Sequence, residues 1–141
     1  MSPTRATTAA KISVGLFVRG EKLDPDHVTA RLGVSPTIRQ IKGEARTAPD
    51  GRQVHAKEGL WARVLDADDV AEIDRLLGAV SSGSLTLGGI MNVTDAYFDV
   101  FIASESDAGR ADLAFNIDAA TLAAIGGTGL PLRMTLAFMP G

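Results

Sequence analysis

The sequence predicts an α+β fold, with helices packed on one face of a mainly antiparallel sheet, ferredoxin-like and carrying a faint internal duplication. Three observations lead there. Several segments alternate apolar and polar residues with period two, as half-buried strands do. Short helical segments stand between them, opened by aspartate and closed by glycine. The order along the chain reads β-α-β-β-α-(β)-β-β-α-β, with a strand–helix–strand unit near each end.

Each element has its own signature. In KISVGLFVRG, Ile12, Val14, Leu16 and Val18 alternate with Ser13, Gly15, Phe17 and Arg19, giving a strand with one buried face. In DPDHVTARLG, Asp24 can accept from first-turn amides, Pro25 suits the first helical position, and Gly33 can supply a left-handed exit. PTIRQIKG and GLWARVL read as strands joined by the polar loop EARTAPDGRQVHAKE, in which Pro49-Asp50-Gly51 signals a turn. DADDVAEIDRLLGAV is the clearest helix. Its Val70, Ile73, Leu77 and Val80 share a face, and its acids Asp66, Asp68, Asp69 and Glu72 gather at the positive end of the helix dipole. Leu85 and Leu87 begin a strand that Gly88-Gly89 interrupts, and TDAYFDVFIAS is a central strand with apolar residues on both faces. ADLAFNI and LPLRMTLAF alternate cleanly, and between them Asp118 caps a third helix that Gly126 ends.

In the first unit Asp24 precedes Val28, Leu32, Gly33 and Pro36; in the second Asp118 precedes Leu122, Ile125, Gly126 and Pro131. This is the suggested duplication. The 141 residues are the size of one domain, assigned to 11–141 behind a small polar tail at 1–10. The absence of cysteine excludes disulfides, thiolate zinc sites and cysteine nucleophiles, and favours a cytoplasmic address. A net charge of −3 argues against nucleic acid as partner, and the run ISVGLFV is too short to cross a bilayer.

The ordered set LDPDHVTARLGVSPTIRQIKGE, GLW and FNIDAATLAAIGGTGLPLRM resembles a bacterial group known as domain-of-unknown-function family 4279. The matching positions are Leu23, Pro25, Val28, Thr29, Leu32, Gly33, Pro36 and Thr37, then Lys42-Gly43-Glu44, then Trp61, and the likeness spans residues 11–138. It brings no activity, cofactor or catalytic residue with it.

Charge is unevenly distributed. Residues 39–63 hold Arg39, Lys42, Arg46, Arg52, Lys57 and Arg63 against Glu44, Asp50 and Glu58, a local +3 in an otherwise acidic chain. Arginines can grip carboxylate or phosphate in bidentate fashion; the plainer reading is a solvated loop whose cations pair with nearby acids. Trp61, the single tryptophan, is an interface anchor if exposed and a core residue if not. Asp99 shares a face with Tyr97 and Phe101; it is either a half-buried acid with raised proton affinity or a cross-strand partner of Arg133. His27 and His55 lack a second ligand at helical spacing, and the acids at 66–74 lack the calcium-loop order. Gly83-Ser84-Leu85 lacks the second glycine of a nucleophile elbow.

The expectation is therefore a non-enzymatic protein-interaction module, regulatory or immunity-like, without cofactor or metal. Its basic hairpin would meet an acidic protein partner through Arg39, Lys42, Glu44, Trp61 and Arg63. The alternative is a ferredoxin-like regulatory module that binds a small anionic ligand on the same cations. Neither nucleic acid nor membrane is expected as a partner, and a homodimer is.

Overall fold

The computed structural model describes residues 10–81, 90, 92–106 and 114–140. Strand β1 (Ala10–Gly20) is followed by α1 (Pro25–Leu32), β2 (Ile38–Gln40), β3 (Ala45–Thr47), β4 (Gln53–His55) and β5 (Gly59–Ala67). Then come α2 (Ile73–Ser81), β6 (Asp95–Ser106), α3 (Ala119–Thr128) and β7 (Leu132–Pro140). The main sheet has the order β2-β5-β1-β6-β7, and β3 with β4 forms a separate two-stranded hairpin. The fold is α+β. Ladders β2·β5, β5·β1 and β1·β6 are antiparallel, but β6·β7 is parallel, so the sheet is mixed. The parallel pair follows from α3, since strands running the same way need a crossover rather than a tight turn.

Alternation on β1 works as predicted. Ile12, Val14, Leu16 and Val18 are at most 2% exposed. Their ladder neighbours in the same rows include Trp61, Phe98, Val100 and Ile102. Val28 of α1, Ile73, Leu77 and Val80 of α2 and Ile125 of α3 join the same cluster, which places all three helices on one face. α1 behaves as its sequence implies: Asp24 Oδ1 accepts from the Asp26 amide at 3.0 Å, Pro25 opens the helix, and Gly33 leaves it with φ 71°. Capping of this kind stabilises by about 1 kcal/mol.

Other boundaries move. The Pro49-Asp50-Gly51 turn is present, with Gly51 at φ 87° and its amide donating to the Ala48 carbonyl at 2.9 Å. The polar loop around it, however, pairs with itself as β3 and β4. α2 starts at Ile73 rather than Asp66, because β5 continues to Ala67 against β1 and Ser13 donates to Asp66 at 3.1 Å. Asp69 instead caps a short 3-10 turn over Val70–Glu72. α3 runs through Gly126 and exits at Gly129, φ 74°. Asp118 makes no side-chain cap there; its own amide donates to Asp74 Oδ1 at 2.7 Å. Residues 114–117 belong to no strand. The remainder of that predicted strand, and the one begun by Leu85 and Leu87, lie outside the described residues. The two strand–helix–strand units also differ in layout. β1 and β2 have β5 between them, whereas β6 and β7 are neighbours.

Gly20 and Gly59 face each other at the end of the β1·β5 ladder, where the chain turns back through Leu23. A Cβ on Gly59 would stand 2.4 Å from the Leu23 carbonyl oxygen, and one on Gly20 would stand 1.8 Å from that of Asn92. Only glycine permits this approach. Gly78 on α2 meets nothing within 4 Å. Gly59→Ala is therefore expected to cost about 1–3 kcal/mol, while Gly78→Ala gains up to about 1 kcal/mol from helix propensity. Urea midpoints of the two variants, moving in opposite directions, check both.

Candidate functional site

Strand alternation divides the basic segment. Arg39 points to the helix side of β2, between outward-facing Ile38 and Gln40, and its Nε and Nη2 both donate to Asp26 of α1 at 3.1 Å. Lys42 forms an ion pair with Glu21, whose carboxyl it holds below the usual range. Arg52 pairs with Asp50 at 2.7 Å, within its own turn. Glu44 lies exposed before β3, where its carbonyl accepts from the Ala56 amide at 2.9 Å. Arg63 lies half-buried on the helix side, in the row of Leu16.

Trp61 is fully buried beneath α1, and its indole N–H donates to Thr29 Oγ1 at 3.0 Å. Arg39, Trp61 and Arg63 thus share the helix side of the β2·β5 pair, while Lys42 and Glu44 lie past the end of β2, before β3. Trp61 is a core residue and not a surface anchor, and Arg39 and Lys42 already have carboxylate partners inside the chain.

A different group converges on the sheet face opposite the helices. The Phe17 and Tyr97 rings stack at 5.4 Å with planes 10° apart, and the Arg133 guanidinium sits 3.7 Å from the centre of the Tyr97 ring. Arg19 donates from Nε to the Tyr97 hydroxyl at 3.0 Å and from Nη1 to Glu58 at 2.8 Å. Arg133 also pairs with Asp95 at 3.1 Å. Ring stacking and the cation–π contact each contribute about 1 kcal/mol. The cluster joins β1, β6 and β7, with Glu58 just ahead of β5, across one end of the sheet. Its aromatic ring is enclosed between Phe17 and Arg133, which leaves Tyr97 only 7% exposed and suits a brace better than a receptor surface.

Asp99 stands opposite Gly15 on one side and Arg133 on the other. Burial raises its proton affinity and the Arg133 charge lowers it, with burial the larger effect.

Exposed apolar side chains stand at both edges of the sheet, Ile38 and Ile41 at β2 and a longer row at β7. Among the described residues β7 is an edge strand, and Met134, Leu136 and Phe138 alternate along its helix side at 48%, 54% and 54% exposure. Leu122 on α3 is also half-exposed, and Phe101 of β6 shows on the outer face. The sequence pattern 132–138 marks these residues as a buried strand face. Alternation reports that one face is apolar, but not that only its first residue, Leu132, packs against the core while Met134, Leu136 and Phe138 stay exposed. The backbone of β7 is equally one-sided. The Phe98 amide donates to the Pro131 carbonyl at 2.9 Å, and Phe98 lies opposite Leu132. In a parallel ladder this phase turns the amides and carbonyls of 133, 135 and 137 toward β6. Those of Leu132, Met134, Leu136 and Phe138 point to the open edge.

Among the described residues no three His, Asp or Glu side chains are placed to hold a metal ion, and no helix is long and apolar enough to cross a membrane. A shallow hollow of about 260 Å³ is lined by His27, Ala30, Arg31 and Ile90, and by none of the five predicted residues. A family model described as Domain of unknown function (DUF4279) matches residues 10–139. No curated protein and no solved structure matches the chain.

Asp99 gives a pH test. An acid with raised folded-state affinity binds more protons folded than unfolded just above the ordinary aspartate value, about pH 4. Its contribution to stability is therefore present below that value and lost as pH rises through the folded one. Asp99→Asn is expected to raise the melting temperature at pH 7, and this gain should vanish below about pH 4. Thermal melts of both proteins across that range decide the matter; a gain independent of pH would contradict the assignment.

Proposed function

The chain belongs to that family, and we propose that it is a non-enzymatic protein-interaction module of the bacterial cytoplasm, regulatory or immunity-like, whose contact surface is the β7 edge. One observation carries this reading. Met134, Leu136 and Phe138 form a half-exposed apolar stripe on an edge strand, the kind of surface that marks an interaction site when it is not covered. Strand β2, from which the chain runs on into the basic hairpin, is the other edge of the sheet, roughly four strand spacings or ~19 Å away. With Arg39, Lys42 and Arg52 already paired, the basic segment offers an acidic partner less than its formal charge suggests. The same pairing weakens the anionic-ligand alternative, since those cations share no pocket.

We read β1-α1-β2-β5-α2-β6 as a ferredoxin-like unit. The order β2-β5-β1-β6 and its three antiparallel ladders support this, with β3 and β4 inserted before its third strand. On that reading α3 and β7 are an addition at the sheet edge, and the addition carries the contact surface.

The test places a photoreactive phenylalanine analogue at position 136 or, in a second variant, at position 44 of the hairpin, in the native cell. A protein adduct from 136 and none from 44 is expected. Adducts from 44 alone, or from neither, would overturn the assignment of this surface.

A further inference from the structure

We infer that the partner at the β7 edge is a second copy of this chain, added as an antiparallel strand about a two-fold axis through Thr135. The inference rests on the interaction reading above and names its partner. It starts from the phase of the β6·β7 ladder. Among the described residues no strand pairs with the outer edge of β7, and the residues whose amides and carbonyls face it, Leu132, Met134, Leu136 and Phe138, all send their side chains to the helix side, the last three as the exposed stripe. An incoming strand therefore satisfies the backbone and covers the apolar row at the same positions.

In an antiparallel pair, residues that exchange both hydrogen bonds alternate with residues that exchange none. A two-fold axis at Thr135 sets Leu132 opposite Phe138 of the second copy and Met134 opposite its Leu136. All of these are positions whose amides and carbonyls face that edge. The two Thr135 residues then meet as a non-bonded pair on the outer face, where cross-strand threonines are favourable. The prolines bound the register: Pro131 precedes the strand and Pro140, which has no amide proton, ends it.

Charge fits the same arrangement. An edge strand that avoids pairing usually carries lysine, an inward charge or a bulge. From Leu132 to Phe138 the only charged side chain is Arg133, held on the outer face by Asp95 and the Tyr97 ring. In the proposed register Arg133 lies opposite Ala137 of the second copy, which leaves the two Arg133 residues ~14 Å apart along the strands. No like charges face each other, and both contacts are the same patch, so the interface closes at two copies instead of growing into a filament.

The chain contains no cysteine, so an introduced one reports without background. Non-bonded antiparallel pairs hold their Cα atoms about 4.5 Å apart, within the disulfide range. Thr135→Cys is expected to form a covalent dimer on mild oxidation, and Thr47→Cys on the exposed hairpin is not. By sedimentation velocity the wild type should show a species of twice the 14.7 kDa chain mass that dissociates on dilution. Leu136→Lys should remain at the single-chain mass with an unchanged circular dichroism spectrum.

A wild type that stays at the single-chain mass, together with no disulfide from Thr135→Cys, would overturn the second-copy inference. A photo-adduct from position 136 to a different protein would then preserve the interaction reading and identify β7 as the acceptor of a foreign strand. Absence of that adduct as well would remove both. If Leu136→Lys fails to fold, the two cysteine variants still decide.

Discussion

The rest of the fold depends on the two-sided pairing of β1. Like β6 after it, β1 is hydrogen-bonded along most of its length on both sides, to β5 and to β6, and its helix-side residues are almost fully buried. Because side chains alternate strictly, fixing Ile12, Val14, Leu16 and Val18 under the helices forces Ser13, Gly15, Phe17 and Arg19 onto the opposite face. The same parity passes to each neighbour. It sends Trp61 and Arg63 inward with Val18 and Leu16, and Tyr97 outward with Phe17. A one-residue slip of β1 would exchange the core for the Phe17–Tyr97–Arg133 cluster.

That parity explains what could be read in advance. Elements whose identity is local were legible: the alternation of β1, the two apolar faces of β6, the Asp24–Gly33 frame of α1, the turn at Gly51. Those decided by distant pairing were not. Asp66 looks like a first-turn helix acid, yet nine consecutive register pairs from Ile12 to Gly20 keep β5 extended through Ala67. Gly126 looks like a helix stop, but the left-handed exit falls at Gly129, where Thr128 Oγ1 accepts the next amide, that of Leu130, at 3.1 Å. The polar run 44–58 has too few apolar residues to announce its hairpin, which is held by its own turn and backbone bonds.

The basic segment is read differently for a related reason. Proximity in sequence suggested that Arg39, Lys42 and Arg63 would act together; strand pairing does put Arg39 and Arg63 on one face, but Arg39 and Lys42 are answered by acids from outside the segment. The acids that neutralise them, Asp26 and Glu21, come from the first helix and the turn before it. A count of charges within 39–63 cannot include them. The apolar edge was present in the sequence as a clean strand pattern. What the pattern lacked was the strand's position, last in the sheet among the described residues, with only Leu132 packed against the core.

The burial of Trp61 has an optical consequence. As the single tryptophan it is the dominant fluorophore, and it lies under α1 with its N–H bonded, shielded from water and soluble quenchers. It stands on β5, three strands from β7, so strand addition at that edge leaves its surroundings unchanged. Its emission therefore reports the integrity of the core alone. Association must be followed by mass, and a shift in tryptophan emission on mixing would mean that the interior had rearranged.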